Sequence, residues 1–120
     1  MNARTTTNPI KVLIAIEPLM YREVIGSYLS KHRPQAEVIL ASGETLEAEI
    51  ERTRPLLIIA HEPPATAEGT EAFWVAMRIG VQRIDADISI NGYSAILHDV
   101  SGRDLLAAVD RAVEELVDGA

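Results

Sequence analysis

Residues 55–64, Pro-Leu-Leu-Ile-Ile-Ala-His-Glu-Pro-Pro, constrain this chain more than any other stretch. Five apolar residues follow one another between a proline and an abrupt polar stop. A short run with no polar alternation fits a strand covered on both faces, as in a parallel sheet with helices on either side. His61 and Glu62 then fall at the carboxyl end of that strand, the edge where open α/β sheets collect ligands and catalytic groups.

The flanking chain supplies the expected neighbours. Residues 10–16 hold a second run, five apolar residues in a row from Val12 to Ile16 between Pro9 and Pro18, read as a buried strand. Pro18 suits the first turn of a helix. From Leu19 the apolar positions take a helical period, with Met20, Val24 and Tyr28 on one line and Tyr21, Ile25, Leu29 and His32 on the next, until Pro34 stops it. Residues 37–41 read as a short strand. Ser42, Gly43 and Thr45 can open a helix to about Arg54, with only Leu46, Ala48 and Ile50 to anchor it. The order β-α-β-α-β calls for parallel strands and right-handed crossovers.

Beyond His61 the pattern changes. Residues 62–72 hold two prolines, a glycine and two threonines without period, and are expected to form a loop. Residues 73–79 alternate as a fourth strand. Ile84, Ala86, Ile88 and Ile90 alternate with Asp85, Asp87 and Ser89, and Asn91-Gly92 then precedes residues 93–97. Asn-Gly between alternating runs marks a type I′ hairpin, whose register sets Ile90 opposite Tyr93, Ala86 opposite Leu97 and Asp85 opposite His98. Strands four to six are expected to form a meander, the last parallel to the first. Ser101 and Asp104 make a capping-box-like start to a closing helix with a broad stripe of Leu105, Leu106, Val109, Ala112, Val113, Leu116 and Val117.

At 120 residues the chain makes one domain, residues 10–120, behind a polar tail, residues 1–9, expected to be disordered. That tail has no apolar core of the kind a secretory peptide needs, and the longest apolar runs are too short to cross a bilayer. A cytoplasmic protein is expected. The absence of cysteine excludes disulfides, thiolate catalysis and cysteine-ligated metal centres. A net charge of -7 with dispersed basic residues opposes binding to nucleic acid or anionic membranes. Gly-rich phosphate loops and Gly-x-Ser-x-Gly elbows are absent too.

Three segments, residues 11–23 (Lys-Val-Leu-Ile-Ala-Ile-Glu-Pro-Leu-Met-Tyr-Arg-Glu), 54–61 and 96–108 (Ile-Leu-His-Asp-Val-Ser-Gly-Arg-Asp-Leu-Leu-Ala-Ala), give the chain a pattern that resembles the receiver domains of two-component response regulators. The resemblance covers rather less than half of the chain and implies a flavodoxin-like open α/β sheet. Receivers carry an acidic pair after the first strand for Mg²⁺, and here the pair reads Ile16-Glu17. They carry the phosphorylated aspartate after the third strand, where this chain has His61. The nearest match to their lysine after the fifth strand is His98, followed by Asp99. An aspartyl phosphate needs a carboxylate nucleophile and oxygen ligands for a hard cation, so the resemblance implies a receiver that has lost phosphotransfer.

The third and fourth receiver helices are also missing between His61 and His98, so one sheet face lacks its cover. Burial of that face in a homodimer is the economical expectation, with Phe73, Trp74 and Tyr93 as interface residues. The function expected is that of a non-catalytic regulatory module that binds itself and a regulatory protein, with no cofactor. The alternative is a metal- or small-ligand-binding protein or enzyme using Glu17, His61 and Glu62, with a divalent metal on Glu17 and His61, completed by Glu62, His98 or Asp99. The plainest reading of these residues is a polar strand end that is merely hydrogen-bonded.

Overall fold

A computed structural model of the chain describes residues 10–61, 72–90 and 93–118. The tail of residues 1–9, the loop with Glu62, and the Asn91-Gly92 turn lie outside the described residues, as do the side chains of Tyr93, Leu116 and Val117.

Six strands and three helices follow in the order β1 (Ile10–Ala15), α1 (Leu19–His32), β2 (Ala36–Leu40), α2 (Leu46–Thr53), β3 (Leu57–Ala60), β4 (Phe73–Ile79), β5 (Ile84–Ile90), β6 (Tyr93–Leu97) and α3 (Gly102–Asp118). They form one mixed sheet of order β2-β1-β3-β4-β5-β6. The expected α/β architecture is present. The first four strands are parallel, β4 to β6 run as an antiparallel meander, and β6 therefore points the same way as β1. The hairpin extends the sheet beyond β4, which leaves β2 and β6 as its edges.

β3 has the cover its composition demands. Leu57, Ile58 and Ile59 are fully buried. Leu57 and Ile59 join Val12, Ile14, Ile16, Val75 and Met77 under α1 and α3. Ile58 and Ala60 face the other way, with Leu13, Ala15 and Trp74 under α2. α2 holds on through Leu46 and the partly buried Ile50, as its thin apolar content implies.

The two apolar lines of α1 are used unequally: Tyr28 of the first line packs against the core, but the rest of that line does not. Ile25 and Leu29 are buried, whereas Met20 and Val24 are each 61% exposed. Two contacts fix α1 against α3. Arg33, at the C-terminal end of α1, grips Asp110 through Nε–Oδ1 (2.8 Å) and Nη2–Oδ2 (2.7 Å). At the start of α3 a Cβ on Gly102 would lie 2.6 Å from the Tyr28 ring, so glycine permits the close approach. The capping box closes as its sequence implies: the Ser101 amide donates to Asp104 Oδ2 (2.9 Å) and the Asp104 amide donates to Ser101 Oγ (3.4 Å).

The face left without the receiver-type helices is polar where it leaves α2. Beyond Trp74 and Ala76 it carries Arg78, Asp85, Asp87, Ser89 and Ser94 together with the exposed Ile96, with Arg78 Nη1 on Asp87 Oδ2 at 2.9 Å. Strands β4 and β5 alternate, so this half of the sheet can face water without a second layer. Trp74, expected at an interface, is 6% exposed and buried within its own protomer beneath α2. Phe73 points to the opposite face and packs against the α1–α3 core.

α2 ends on Arg54, a non-glycine residue in the left-handed region (φ 48°, ψ 65°). Arg54→Gly removes the Cβ conflict of that conformation and is expected to raise stability by about 0.5–1 kcal/mol. A thermal or denaturant melt that shows no gain would contradict this.

Candidate functional site

The carboxyl ends of β1 and β3 bring Glu17 and His61 together, through the main chain of one and the ring of the other. The Glu17 amide donates to His61 Nε2 at 2.8 Å. Since Nε2 accepts, the ring proton sits on Nδ1, which is 3.1 Å from the Met77 carbonyl and donates to it. The imidazole thus ties the end of β1 to β4 across the end of β3. Both of its nitrogens are spent on main-chain atoms.

The Glu17 carboxylate is engaged elsewhere. Arg22 Nη2 lies 3.3 and 3.4 Å from its two oxygens, and the Gly43 amide donates to Oε2 at 3.4 Å. Arg22 Nε also donates to the Ile16 carbonyl at 3.1 Å. Arg22 therefore holds the β1–α1 turn, and Glu17 links that turn to the β2–α2 loop. Sequence reasoning missed Arg22. It stands five residues after Glu17, across a turn rather than along a helix, and periodicity does not register such a pair.

His98 and Asp99 do not join this group. They lie at the end of β6, three strand spacings or about 14 Å from β3 along the sheet. In the flavodoxin-like order the last strand would stand next to β4; here the antiparallel β5 intervenes. His98 instead meets Asp85, as the hairpin register implies, with Nδ1–Oδ1 at 3.6 Å. Asp85 Oδ1 also accepts a hydrogen bond from the Asp99 amide (3.2 Å) and forms an ion pair with Arg83 Nε (3.2 Å). The Asp85 side chain is 19% exposed. Its burial opposes ionisation, but the Asp99 amide, the Arg83 guanidinium and His98 outweigh that and hold its carboxyl below the usual carboxylate range.

The donor set does not fit the divalent cation of a receiver. Ile16, in the first acidic position, is fully buried. Glu17 carries the lone carboxylate described there, bound to Arg22, and His61 has no free nitrogen. Among the described residues no three His, Asp or Glu side chains are grouped to hold a metal ion. Glu62 lies outside the described residues. Trp74 Nε1 is buried without a hydrogen-bond acceptor among the described residues. No helix among the described residues is long and apolar enough to cross a membrane.

Comparison with protein-family models, curated proteins and solved structures returns no match for this chain.

Two outcomes are expected. His61→Ala removes two hydrogen bonds that join three strand ends and should lower stability by about 1–2 kcal/mol in a denaturant titration; an unchanged midpoint would mean that the tie is idle. Asp85→Asn should lower the melting temperature at neutral pH. Because the folded carboxyl is held below its unfolded value, the wild-type advantage is present above about pH 4 and disappears as pH falls through the folded value. Melts from pH 7 to pH 2 should therefore converge.

Proposed function

We propose that this chain is a receiver-like, non-catalytic interaction module of the cytoplasm, which performs no phosphotransfer and acts by pairing with itself and with a regulatory protein. The observation that carries the reading is the full engagement of the His61 ring by the Glu17 amide and the Met77 carbonyl. Where a receiver keeps a nucleophile, this chain has a structural tie. A group whose two nitrogens already serve the backbone is poorly placed to accept a phosphoryl group or a metal ion without breaking strand-end contacts.

Two further features support it. The strand order β2-β1-β3-β4 follows the first part of a flavodoxin-like sheet. The net charge of -7 disfavours nucleic acid and anionic membranes as partners and leaves proteins as the favoured class. The metal- or ligand-binding reading of Glu17, His61 and Glu62 draws no comparable support, because Glu17 and His61 meet through an amide rather than through a free carboxylate.

Incubation with Mg²⁺ and acetyl phosphate, read by intact-mass spectrometry, should give no covalent adduct. Mn²⁺ and Zn²⁺ should leave the melting temperature of wild type and of His61→Ala unshifted. A phosphorylated species, or stoichiometric metal lost in His61→Ala, overturns the reading.

A further inference from the structure

His61 differs from the other two histidines of the chain in what a second ring proton would do to its contacts. His32 lies against the Tyr28 ring, with centroids 4.4 Å apart, and His98 faces the Asp85 carboxylate. A charged imidazole suits both places. His61 accepts the Glu17 N–H on Nε2 at 2.8 Å and keeps its own proton on Nδ1, toward the Met77 carbonyl at 3.1 Å. An imidazolium has no acceptor nitrogen. Protonation at Nε2 would set two N–H groups against each other, so the Glu17 bond and the charged ring exclude one another.

The release is one-sided. Nδ1–H donates in both protonation states, and charge on the donor strengthens its bond to the Met77 carbonyl. The ring therefore stays on β4 while letting go of the β1–α1 turn. Strand pairing does not take over the lost contact, because the β1–β3 register ends at Ala15 with Ala60, two residues short of Glu17. The other bonds of the turn lead away from β3. Arg22 joins it to α1 through the Ile16 carbonyl and the Glu17 carboxylate, and the Gly43 amide joins it to the β2–α2 loop.

The charged groups on the surrounding elements are engaged elsewhere. Glu17 pairs with Arg22, Arg78 of β4 with Asp87 of β5, and Asp85 with Arg83 and His98, while Asp104 of α3 closes its capping box. Glu62, the chain neighbour of the ring, lies outside the described residues. Among the described residues no carboxylate forms an ion pair with His61 that would replace the amide bond.

We infer that His61 is a proton-operated latch. Neutral, it fastens the β1–α1 turn to the ends of β3 and β4; protonated, it keeps β4 and frees the turn with the Glu17–Arg22 pair that the turn carries. The latch uses the same ring contacts as the proposed function and adds a response to acid that a passive tie would not show.

Nuclear magnetic resonance of the ¹⁵N-labelled full chain, from about pH 8 to about pH 5 and so above the ordinary glutamate range of about 4.3, tests it. At the upper end the His61 ring should show the Nδ1–H tautomer and the Glu17 amide should resist hydrogen exchange. On acidification the Glu17 amide resonance should move in step with the His61 ring nitrogens. Its protection, corrected for the intrinsic pH dependence of exchange, should fall roughly fivefold, the factor for one hydrogen bond. Protection of the Leu13 and Ile14 amides should persist, which marks the change as local. His61→Gln should abolish the step at Glu17, and His32→Gln and His98→Gln should leave it in place. A His61 ring that stays neutral throughout, a Glu17 amide that ignores the ring's protonation, a step that survives His61→Gln, or loss of protection across the whole sheet overturns the latch and leaves the interaction-module reading standing. An Nε2–H tautomer or an unprotected Glu17 amide at the upper end overturns the latch together with the ring contacts that carry that reading.

Discussion

Everything in this fold depends on burying β1 and β3 from both sides. Val12, Leu13, Ile14, Leu57, Ile58 and Ile59 have no measurable exposure, and their side chains alternate between two separate apolar clusters. Strands of that kind cannot leave either face in water. Helices must therefore stand on both sides of them, and α2 is needed despite its few apolar residues. The cover can end only where the sequence returns to alternation, at β4 and β5. There the second face becomes a lattice of Arg78, Asp85, Asp87 and serines, and the helices of a doubly wound sheet are no longer required.

The same constraint explains the strand-end chemistry. A dry strand that stops abruptly exposes its terminal polar groups to the neighbouring main chain. His61, the first polar side chain after β3, takes up the Glu17 amide on one side and the Met77 carbonyl on the other. A catalytic imidazole needs at least one nitrogen directed at a substrate or at its activating partner. This ring has neither to spare, and its chemical potential is absorbed in holding three strand ends in register. The Asp85–His98 pair has an equally local origin, in a hairpin register that would hold for any protein with this turn.

Much of the architecture was legible in the residues. The two uninterrupted apolar runs located β1 and β3, and the Asn-Gly signal set the β5–β6 register that the flanking pairs display, Ile90 with Tyr93 and Ala86 with Leu97. Ser101 and Asp104 marked the start of α3 correctly. Helix periodicity was less informative for α1, where two adjacent apolar lines look equivalent in sequence, yet Ile25 and Leu29 are buried and Met20 and Val24 are exposed. For Trp74, alternation says that it and Phe73 face opposite ways and leaves burial within one subunit as open as an interface; the fold buries it in the cluster with Leu46, Leu13 and Ile58.

Local runs, turn chemistry and residue identity were enough to establish the order of elements, the parallel core and the position of a histidine at the end of β3. The role of His61, the distance of His98 from it, the hold of Arg22 on Glu17 and the choice of apolar line on α1 emerged only once the chain was folded. These outcomes turn on which atoms the fold brings together, and the decisive pair, Glu17 and His61, stands 44 residues apart in the chain. No local pattern encodes a partner at that distance; the sheet order brings it into reach.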